Sequence, residues 1–152
     1  MRRGPQSFRG FTLVELLIVV VILGILAAIA VPRIFQLLER ARQKRTMADM
    51  RTLALAINAY GADLAMVPQM TGPAANLRAF LEPTYLKVLP VLDGWRRDFQ
   101  YQGQGLEYTL LSYGGDGSSQ GGPYGGPTTN FSADIVVVNG VFVQWPEGMQ
   151  VQ

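Results

Sequence analysis

The sequence predicts an α+β fold in which a long N-terminal helix packs on a small antiparallel β-sheet. A run of apolar residues and glycine extends from Leu16 to Val31, which is long enough to form most of a membrane-spanning helix. A helical pattern of apolar side chains continues beyond this run, and strand-like segments separated by glycine-rich turns fill the C-terminal half. The chain of 152 residues has room for one modest globular domain beside the helix.

The composition argues against an enzyme. The chain contains no cysteine and no histidine, which removes thiol nucleophiles, disulfides, thiolate metal sites and the most common general base. A membrane-anchored enzyme that used carboxylates alone would draw on Asp93, Asp98, Asp116 and Asp134, but no catalytic motif surrounds these residues. We therefore predict a protein that is not an enzyme.

The positive charge of the chain is concentrated at its N-terminus. Arg2, Arg3 and Arg9 precede the apolar run, and the rest of the chain is nearly neutral although the formal net charge is +2. This distribution lacks the broad basic surface of a protein that binds nucleic acid. It predicts instead a leader that stays in the cytoplasm, with the bulk of the chain across the membrane.

Three fates are open to the apolar segment. It is a secretory signal cut after Ala30, an uncut anchor, or a segment that becomes the new N-terminus when the chain is cut ahead of it. Glu15 favours the third fate, because a carboxylate in an otherwise apolar segment is costly unless it has a partner. Cleavage before Phe11 would create an α-amino group of the right sign, in the same chain or in a neighbouring subunit.

The residues around Phe11 resemble the type III signal of type IV pilins and type II secretion pseudopilins. The match comprises Arg9-Gly10-Phe11-Thr12-Leu13-Val14-Glu15-Leu16-Leu17, with the short basic leader before it and the apolar run after it. The resemblance implies a pilin fold, and a prepilin peptidase that removes residues 1–10 by cutting between Gly10 and Phe11 and then N-methylates Phe11. It also implies insertion in the inner membrane, an assembly platform with minor pseudopilins or pilins as partners, and a homo-oligomeric helical filament.

The apolar segment is predicted to continue as one helix from about Thr12 to Tyr60, ending near Gly61. Its first part, residues 11–34, would lie in the membrane and later in the filament core, and residues 35–62 would form an amphipathic continuation. The core-facing stripe of that continuation contains Met47, Met50, Ala54 and Ile57.

Two residues are predicted to weaken this helix. Pro32 lacks a backbone N–H and should kink or loosen the helix, and Gly24 is a second weak point. The family resemblance implies that this region melts when filaments assemble.

Basic side chains dominate the face of the helix opposite the core. Six Lys or Arg residues between Arg33 and Arg51 face two acids, Glu39 and Asp49. Two interpretations of these basic side chains are equally supported. They pair with charges on neighbouring subunits, or they form a solvated helix face near anionic headgroups.

The globular part, residues 63–152, is predicted to contain short helical turns and two β-hairpins. A helical turn or two is expected over residues 74–81. One hairpin would pair residues 99–101 with 106–112 around the turn Gln102-Gly103-Gln104-Gly105, and another would pair residues 135–138 with 141–144 around Asn139-Gly140. Together they predict a four-stranded antiparallel sheet packed on the helix.

A glycine-rich loop over residues 113–134 separates the two hairpins. A loop of this length in a small domain is usually functional or disordered, and Asp116 and Asp134 lie near its ends. Carboxylate and carbonyl oxygens suit Ca²⁺, which tolerates irregular geometry. Asp-Gly is also common in ordinary turns and the ligand spacing is not that of an EF-hand, so the residues alone leave both interpretations open.

This loop resembles the C-terminal signature of the major type II secretion pseudopilins. The match is Leu110-Leu111-Ser112-Tyr113-Gly114-Gly115-Asp116-Gly117, followed by Gly121-Gly122 and Ala133-Asp134-Ile135. It implies a Ca²⁺ site with Asp116 and Asp134 as side-chain ligands and the Tyr113 carbonyl as a further candidate.

The same group carries an Asp-Pro-Trp-Gly segment, which Asp93-Gly94-Trp95 resembles with Gly94 and Arg96 as departures. Two larger departures follow. Pro123 to Ser132 resembles an insertion, and the chain continues past Ile135 into a hairpin where those pseudopilins stop sooner.

We therefore predict a structural subunit of a type IV pilus-like filament, and specifically the major pseudopilin of a type II secretion system. In this interpretation Glu15 neutralises the Phe11 amino group of a neighbouring subunit, and the subunit passes from the inner membrane into a periplasmic pseudopilus. One alternative is a major or minor subunit of a cell-surface type IV pilus. Another is a soluble extracytoplasmic binding module released from an ordinary signal peptide.

Overall fold

A computed structural model of the chain describes residues 10–148. The predicted basic leader, apart from Gly10, lies outside the described residues. The chain divides into two compact units, Met1–Leu37 and Leu38–Gln152, and each is described by itself.

The first helix, α1, runs over Leu13–Leu64. It is assigned without a break through Gly24 and Pro32, so the kink expected at these two residues stays a prediction. At its far end α1 extends one turn beyond the predicted end at Tyr60. Ala65 then adopts a φ of 53°, the left-handed conformation that commonly ends a helix.

The part of α1 in the first unit exposes its apolar side chains. An 18-residue window of the helix has a mean hydropathy of 3.1, and 0% of that window is buried in the protein. By length and composition this is a helix that can cross a bilayer. Exposed apolar side chains in a stretch of this length need a partner outside the subunit, either lipid or other helices.

The second unit contains a six-stranded mixed sheet with the strand order β1-β2-β3-β5-β6-β4. A 3₁₀ turn (Ala74–Leu77) and a short helix α2 (Arg78–Leu81) follow the first strand, as the sequence predicts. The strands are β1 (Thr71–Pro73), β2 (Gln100–Gln104), β3 (Glu107–Ser112), β4 (Gly126–Thr128), β5 (Ile135–Val138) and β6 (Val141–Pro146).

The α+β fold class is confirmed, but the sheet is larger than the four predicted strands. The additional strands β1 and β4 are three residues long and consist largely of Gly, Pro and Thr, so they carry no local strand signal. β4 pairs with β6 in parallel, whereas the other neighbouring strands are antiparallel.

Both predicted hairpins are present. Asn139 and Gly140 have φ values of 51° and 86°, as the two-residue turn between β5 and β6 requires. The other turn is shorter than predicted, because Gln102, Gly103 and Gln104 belong to β2 and only Gly105 and Leu106 separate it from β3.

The hydrophobic core of the second unit lies between α1 and the sheet. The predicted core-facing stripe of α1 is confirmed, since its four residues are between 0% and 4% exposed. The opposing side chains come from the sheet and the segments before it, and among them are Leu77, Leu89, Phe99, Tyr101, Leu110, Ile135 and Val137.

Candidate functional site

The N-terminus of α1 is closed by a reciprocal contact between Thr12 and Glu15. The backbone N–H and the hydroxyl of Thr12 donate to Glu15 Oε2 over 2.9 and 2.8 Å. The backbone N–H of Glu15 in turn donates to Thr12 Oγ1 over 3.2 Å. This is a capping box, in which two helix-terminal N–H groups are satisfied by side chains. It holds the Glu15 carboxylate close to the residue that follows Phe11.

Gly10 and Phe11 precede the helix in a non-helical, exposed segment. The Phe11 side chain is 75% exposed. The peptide bond between them is therefore outside regular secondary structure, as a protease substrate needs to be.

The two acids predicted in the glycine-rich loop have different environments. Asp134 is fully buried, and its Oδ2 accepts the N–H of Gln120 over 2.9 Å. Its Oδ1 is buried and has no hydrogen-bond partner among the described residues. Asp116 is exposed, and its Oδ1 accepts the N–H of Ser118 over 3.0 Å. The Tyr113 carbonyl accepts the N–H of Gly117 over 3.1 Å.

The electrostatics of the loop favour a cation. Burial raises the pKa of the Asp134 carboxyl, the N–H of Gln120 lowers it, and the charge of Asp116 raises it again. The charge of Asp116 is the smallest of these three effects, and Asp134 Oδ1 is buried without a hydrogen-bond partner among the described residues. A hard cation such as Ca²⁺ would offset the negative charge of the two carboxylates and would coordinate the unpartnered oxygen.

The oxygen ligands supplied by side chains are few. Within residues 10–148 there is no group of three or more acidic side chains placed to hold a metal ion. A Ca²⁺ ion here would need backbone carbonyls and water in addition to Asp116 and Asp134, which is ordinary for this metal. The donor types present therefore fit Ca²⁺.

Arg97 is a loop-binding residue that the sequence analysis missed. Its guanidinium donates to the carbonyls of Gly114 and Gly115 over 2.7 and 3.1 Å. A Cβ at Gly114 would collide with the backbone of Ala133, and the N–H of Gly115 donates to the Phe131 carbonyl over 2.9 Å. The two ends of the loop are therefore packed against each other at this point.

Asp93 anchors the turn that carries Arg97. Its buried carboxylate accepts the N–H groups of Trp95 and Arg97 on Oδ1, both over 2.9 Å, and the Ser112 hydroxyl on Oδ2 over 2.8 Å. The following Gly94 donates its N–H to Thr46 Oγ1 over 2.9 Å. A Cβ at Gly94 would collide with the backbone of Arg42 in α1, which explains glycine at this position.

Gln144 is a second residue that the sequence analysis missed. Its Nε2 donates to the Asp134 carbonyl over 2.8 Å, and its Oε1 accepts the N–H of Gly125 over 3.3 Å. The sequence of β6 contained a signal for this role. Alternate residues of the strand are buried, and Gln144 occupies one of these buried positions between Phe142 and Pro146. A polar residue at an inward position of a strand indicates a buried hydrogen-bonding role.

The basic face of α1 is partly neutralised within the helix. Arg42 pairs with Glu39 over 2.6 Å and Arg45 pairs with Asp49 over 3.6 Å. These pairs engage both acids of the stretch between Arg33 and Arg51. Pairing of this face with neighbouring subunits, and a solvated face near headgroups, both stay predictions.

The apolar N-terminal helix, with Phe11 and Glu15 at its start and a small sheet on its second half, defines the class of pilin-like filament subunits. A family model described as "Prokaryotic N-terminal methylation motif" matches residues 6–31. A second, described as "Type II secretion system (T2SS), protein G", matches residues 33–129. The chain belongs to the type II secretion system protein G family.

Curated relatives agree with this assignment. The chain is 35% identical over 133 residues to the type II secretion system core protein G of Pseudomonas aeruginosa, a match that covers 80% of this chain and 92% of the relative. It is 35% identical over 134 residues to the protein of the same description from Vibrio cholerae, with 81% and 91% covered. For the Escherichia coli protein the identity is 32% over 130 residues, with 76% and 87% covered. The predicted resemblance is confirmed.

Proposed function

We propose that this protein is the major pseudopilin of a type II secretion system, a structural subunit that polymerises into a periplasmic filament and carries out no catalysis. The observation that carries the proposal is the match of residues 33–129 to the protein G family directly after an N-terminal methylation motif. The apolar half of α1 serves as the membrane anchor before assembly and as a helix-packing surface afterwards.

Processing begins on the cytoplasmic side of the inner membrane. A prepilin peptidase cuts between Gly10 and Phe11 and N-methylates Phe11, and the exposed, non-helical backbone at these residues supports such access. The mature subunit remains a single-pass inner-membrane protein. An inner-membrane assembly platform, together with minor pseudopilins, then incorporates it into the homo-oligomeric helical filament.

Glu15 directs assembly by changing its partner. In the free subunit the carboxylate is satisfied by the backbone N–H and hydroxyl of Thr12. In the filament it neutralises the Phe11 amino group of a neighbouring subunit within an apolar core. Because two unpaired charges buried there would be very costly, the pairing sets the axial register of each added subunit.

Calcium stabilises the globular part of the subunit through the glycine-rich loop. Asp116 and Asp134 supply carboxylate oxygens and the Tyr113 carbonyl is a weaker candidate, since it already accepts an N–H from Gly117. The support is the buried Oδ1 of Asp134, which has no hydrogen-bond partner in the part of the chain that the structure describes. A cation bound only by the native state raises the free energy of unfolding by mass action.

The calcium proposal is tested by thermal unfolding of the full chain in detergent micelles. We expect a higher melting temperature in millimolar CaCl₂ than in chelator. MgCl₂ at the same concentration is the matched control, and it should give a smaller rise because Mg²⁺ demands a regular octahedral site. Equal melting temperatures in CaCl₂ and chelator would remove calcium from the proposal.

The filament proposal is tested by mass spectrometry of sheared surface filaments beside the remaining cell envelope. An N-methylated Phe11 terminus confined to the envelope is the expected result. The same terminus abundant in the sheared fraction would establish the surface-pilus alternative instead. A chain beginning at Val31 would contradict both, and would establish the soluble binding module released by an ordinary signal peptidase.

A further inference from the structure

We infer that Gln144 is the positioning residue of the loop that carries Asp134, and that the insertion and the C-terminal hairpin form one clamp around it. This inference rests on the calcium site proposed above and concerns its preorganisation. Both parts of the clamp are departures from the pseudopilin pattern, and the structure brings them into contact.

The contacts of Gln144 reach both sides of the loop. On the sheet, Gln144 lies opposite Val136 of β5 and opposite Gly126 of β4. Its side chain is almost fully buried, with 9% of the residue exposed. One amide therefore holds the Asp134 carbonyl through Nε2 and the Gly125 N–H through Oε1.

The inserted strand reinforces this contact. β4 lies within the predicted insertion, Pro123 to Ser132, and pairs in parallel with β6, which belongs to the C-terminal extension. The N–H of Glu147 continues the connection by donating to the Thr128 carbonyl over 2.8 Å. A three-residue strand is not stable alone, so the insertion depends on the extension for its conformation.

The consequence is a carboxylate that is held before any cation binds. The backbone of Asp134 is fixed by Gln144 and its Oδ2 by the N–H of Gln120, while its Oδ1 has no hydrogen-bond partner within residues 10–148. A group already ordered in its binding geometry loses less entropy when the ligand arrives. Hydrogen-bond partners that orient a metal-binding residue without contacting the metal typically change metal affinity by about 10–100-fold.

The test is calorimetric titration of CaCl₂ into the full chain in detergent micelles, with melting temperatures in CaCl₂ and in chelator. The variant is Gln144→Met, which keeps the length of the side chain and removes its amide. The matched control is Gln102→Met, at an exposed position of β2. We expect the Kd for Ca²⁺ to rise about tenfold or more in Gln144→Met and to stay unchanged in Gln102→Met.

The outcomes separate this inference from the calcium proposal. If the unmodified chain neither binds Ca²⁺ nor gains melting temperature, the calcium proposal fails and this inference fails with it. If the unmodified chain binds Ca²⁺ and Gln144→Met binds with the same Kd, the calcium site stands and the role of Gln144 is overturned.

A second measurement decides the case in which Gln144→Met does not fold. Hydrogen exchange of the unmodified chain in chelator should show slow exchange of the Gly125 and Gln120 amides, because their acceptors are already in place. The control amide is that of Gly121, whose acceptor among the described residues is the Ser119 hydroxyl, two residues earlier in the chain. Fast exchange of Gly125 and Gln120 in chelator, with protection only in CaCl₂, would overturn preorganisation.

Discussion

The indole N–H of Trp95 donates a hydrogen bond to Glu39 Oε2 over 2.7 Å. The bond joins the turn anchored by Asp93 to the basic face of α1, 56 residues earlier in the chain. Glu39 also accepts from Arg42 on its other oxygen. A single carboxylate thus links the turn that carries Arg97 to the helix.

Replacing Trp95 tests the strength of this link. We expect Trp95→Phe to lower the free energy of unfolding by about 2 kcal/mol, since the lost hydrogen bond has a charged acceptor. Trp145→Phe is the matched control, because the Trp145 indole has no hydrogen-bond partner among the described residues. Chemical denaturation followed by circular dichroism provides the comparison. Equal losses in the two variants would mean that ring packing, and not the bond, matters at Trp95.

Arg96 is a site where the chain is expected to gain stability. Its φ is 66°, a left-handed conformation that costs a non-glycine residue about 1–2 kcal/mol. We expect Arg96→Gly to raise the free energy of unfolding by about 1 kcal/mol, since glycine avoids the strain but gains entropy in the unfolded chain. Arg96→Ala removes the same side chain and keeps the strain, so it should give no gain. A rise in both variants would locate the effect in the arginine side chain.

Asp134→Asn is expected to distinguish the free-energy cost of burying the carboxylate from the stabilisation that the carboxylate gives when it binds a cation. Burial raises the pKa of Asp134 above its ordinary 3.8. In the metal-free protein, the contribution of the protonated Asp134 carboxyl to the free energy of unfolding is therefore fully present below pH 3.8. It is lost as pH rises through the higher folded-state pKa. At neutral pH in chelator, Asp134→Asn should melt at or above the wild-type temperature.

Calcium should reverse this order. We expect CaCl₂ to raise the melting temperature of the wild-type chain and to leave Asp134→Asn unchanged. Asp98→Asn, at an exposed position outside the loop, is the control and should respond as the wild type does. A full calcium response in Asp134→Asn would contradict its assignment as a ligand.

Glu15→Ala is expected to abolish filament assembly while leaving membrane insertion intact. The apolar segment still spans the bilayer, but the amino group of a neighbouring Phe11 would be buried without a partner. Filament yield by electron microscopy and membrane fractionation measure the two properties. Glu107→Ala, at an exposed acid on β3, serves as the control. Normal filament yield from Glu15→Ala would rule out the pairing mechanism.

Four of the six tyrosines have a raised pKa, and the two raised most, Tyr101 and Tyr108, are expected to ionise last. Burial raises the pKa of Tyr108 to about 12, and burial followed by the charge of Tyr108 raises the pKa of Tyr101. The neutral Tyr108 phenol contributes to the free energy of unfolding below pH 10, and this contribution is lost as pH rises through about 12. Absorbance titration near 295 nm should show a late phase that coincides with unfolding, and Tyr108→Phe should reduce its amplitude. Ionisation of all tyrosines in one phase near pH 10 would contradict this.

Local sequence patterns predicted much of the fold. The spacing of Met47 and Ile57 with their neighbours predicted the buried stripe of α1, and Asn139-Gly140 predicted the turn between β5 and β6. These features depend on residues that are close in the chain, where helical period and turn chemistry act directly. α1 continues one turn past Gly61, the predicted end, because glycine weakens a helix without necessarily ending it.

By itself, the sequence determined the pilin-like class, through Gly10-Phe11, Glu15 and the apolar run, because cleavage, charge and hydrophobic length are properties of a short segment. The tertiary structure alone decided that β4 pairs with β6, that Arg97 binds the Gly114 carbonyl, and that Gln144 holds Asp134. Each of these contacts joins separate segments of the chain through a backbone carbonyl or N–H, groups that nearly every residue carries. A side-chain pattern cannot specify which of them will meet; the packed core does so by fixing the positions of the strands.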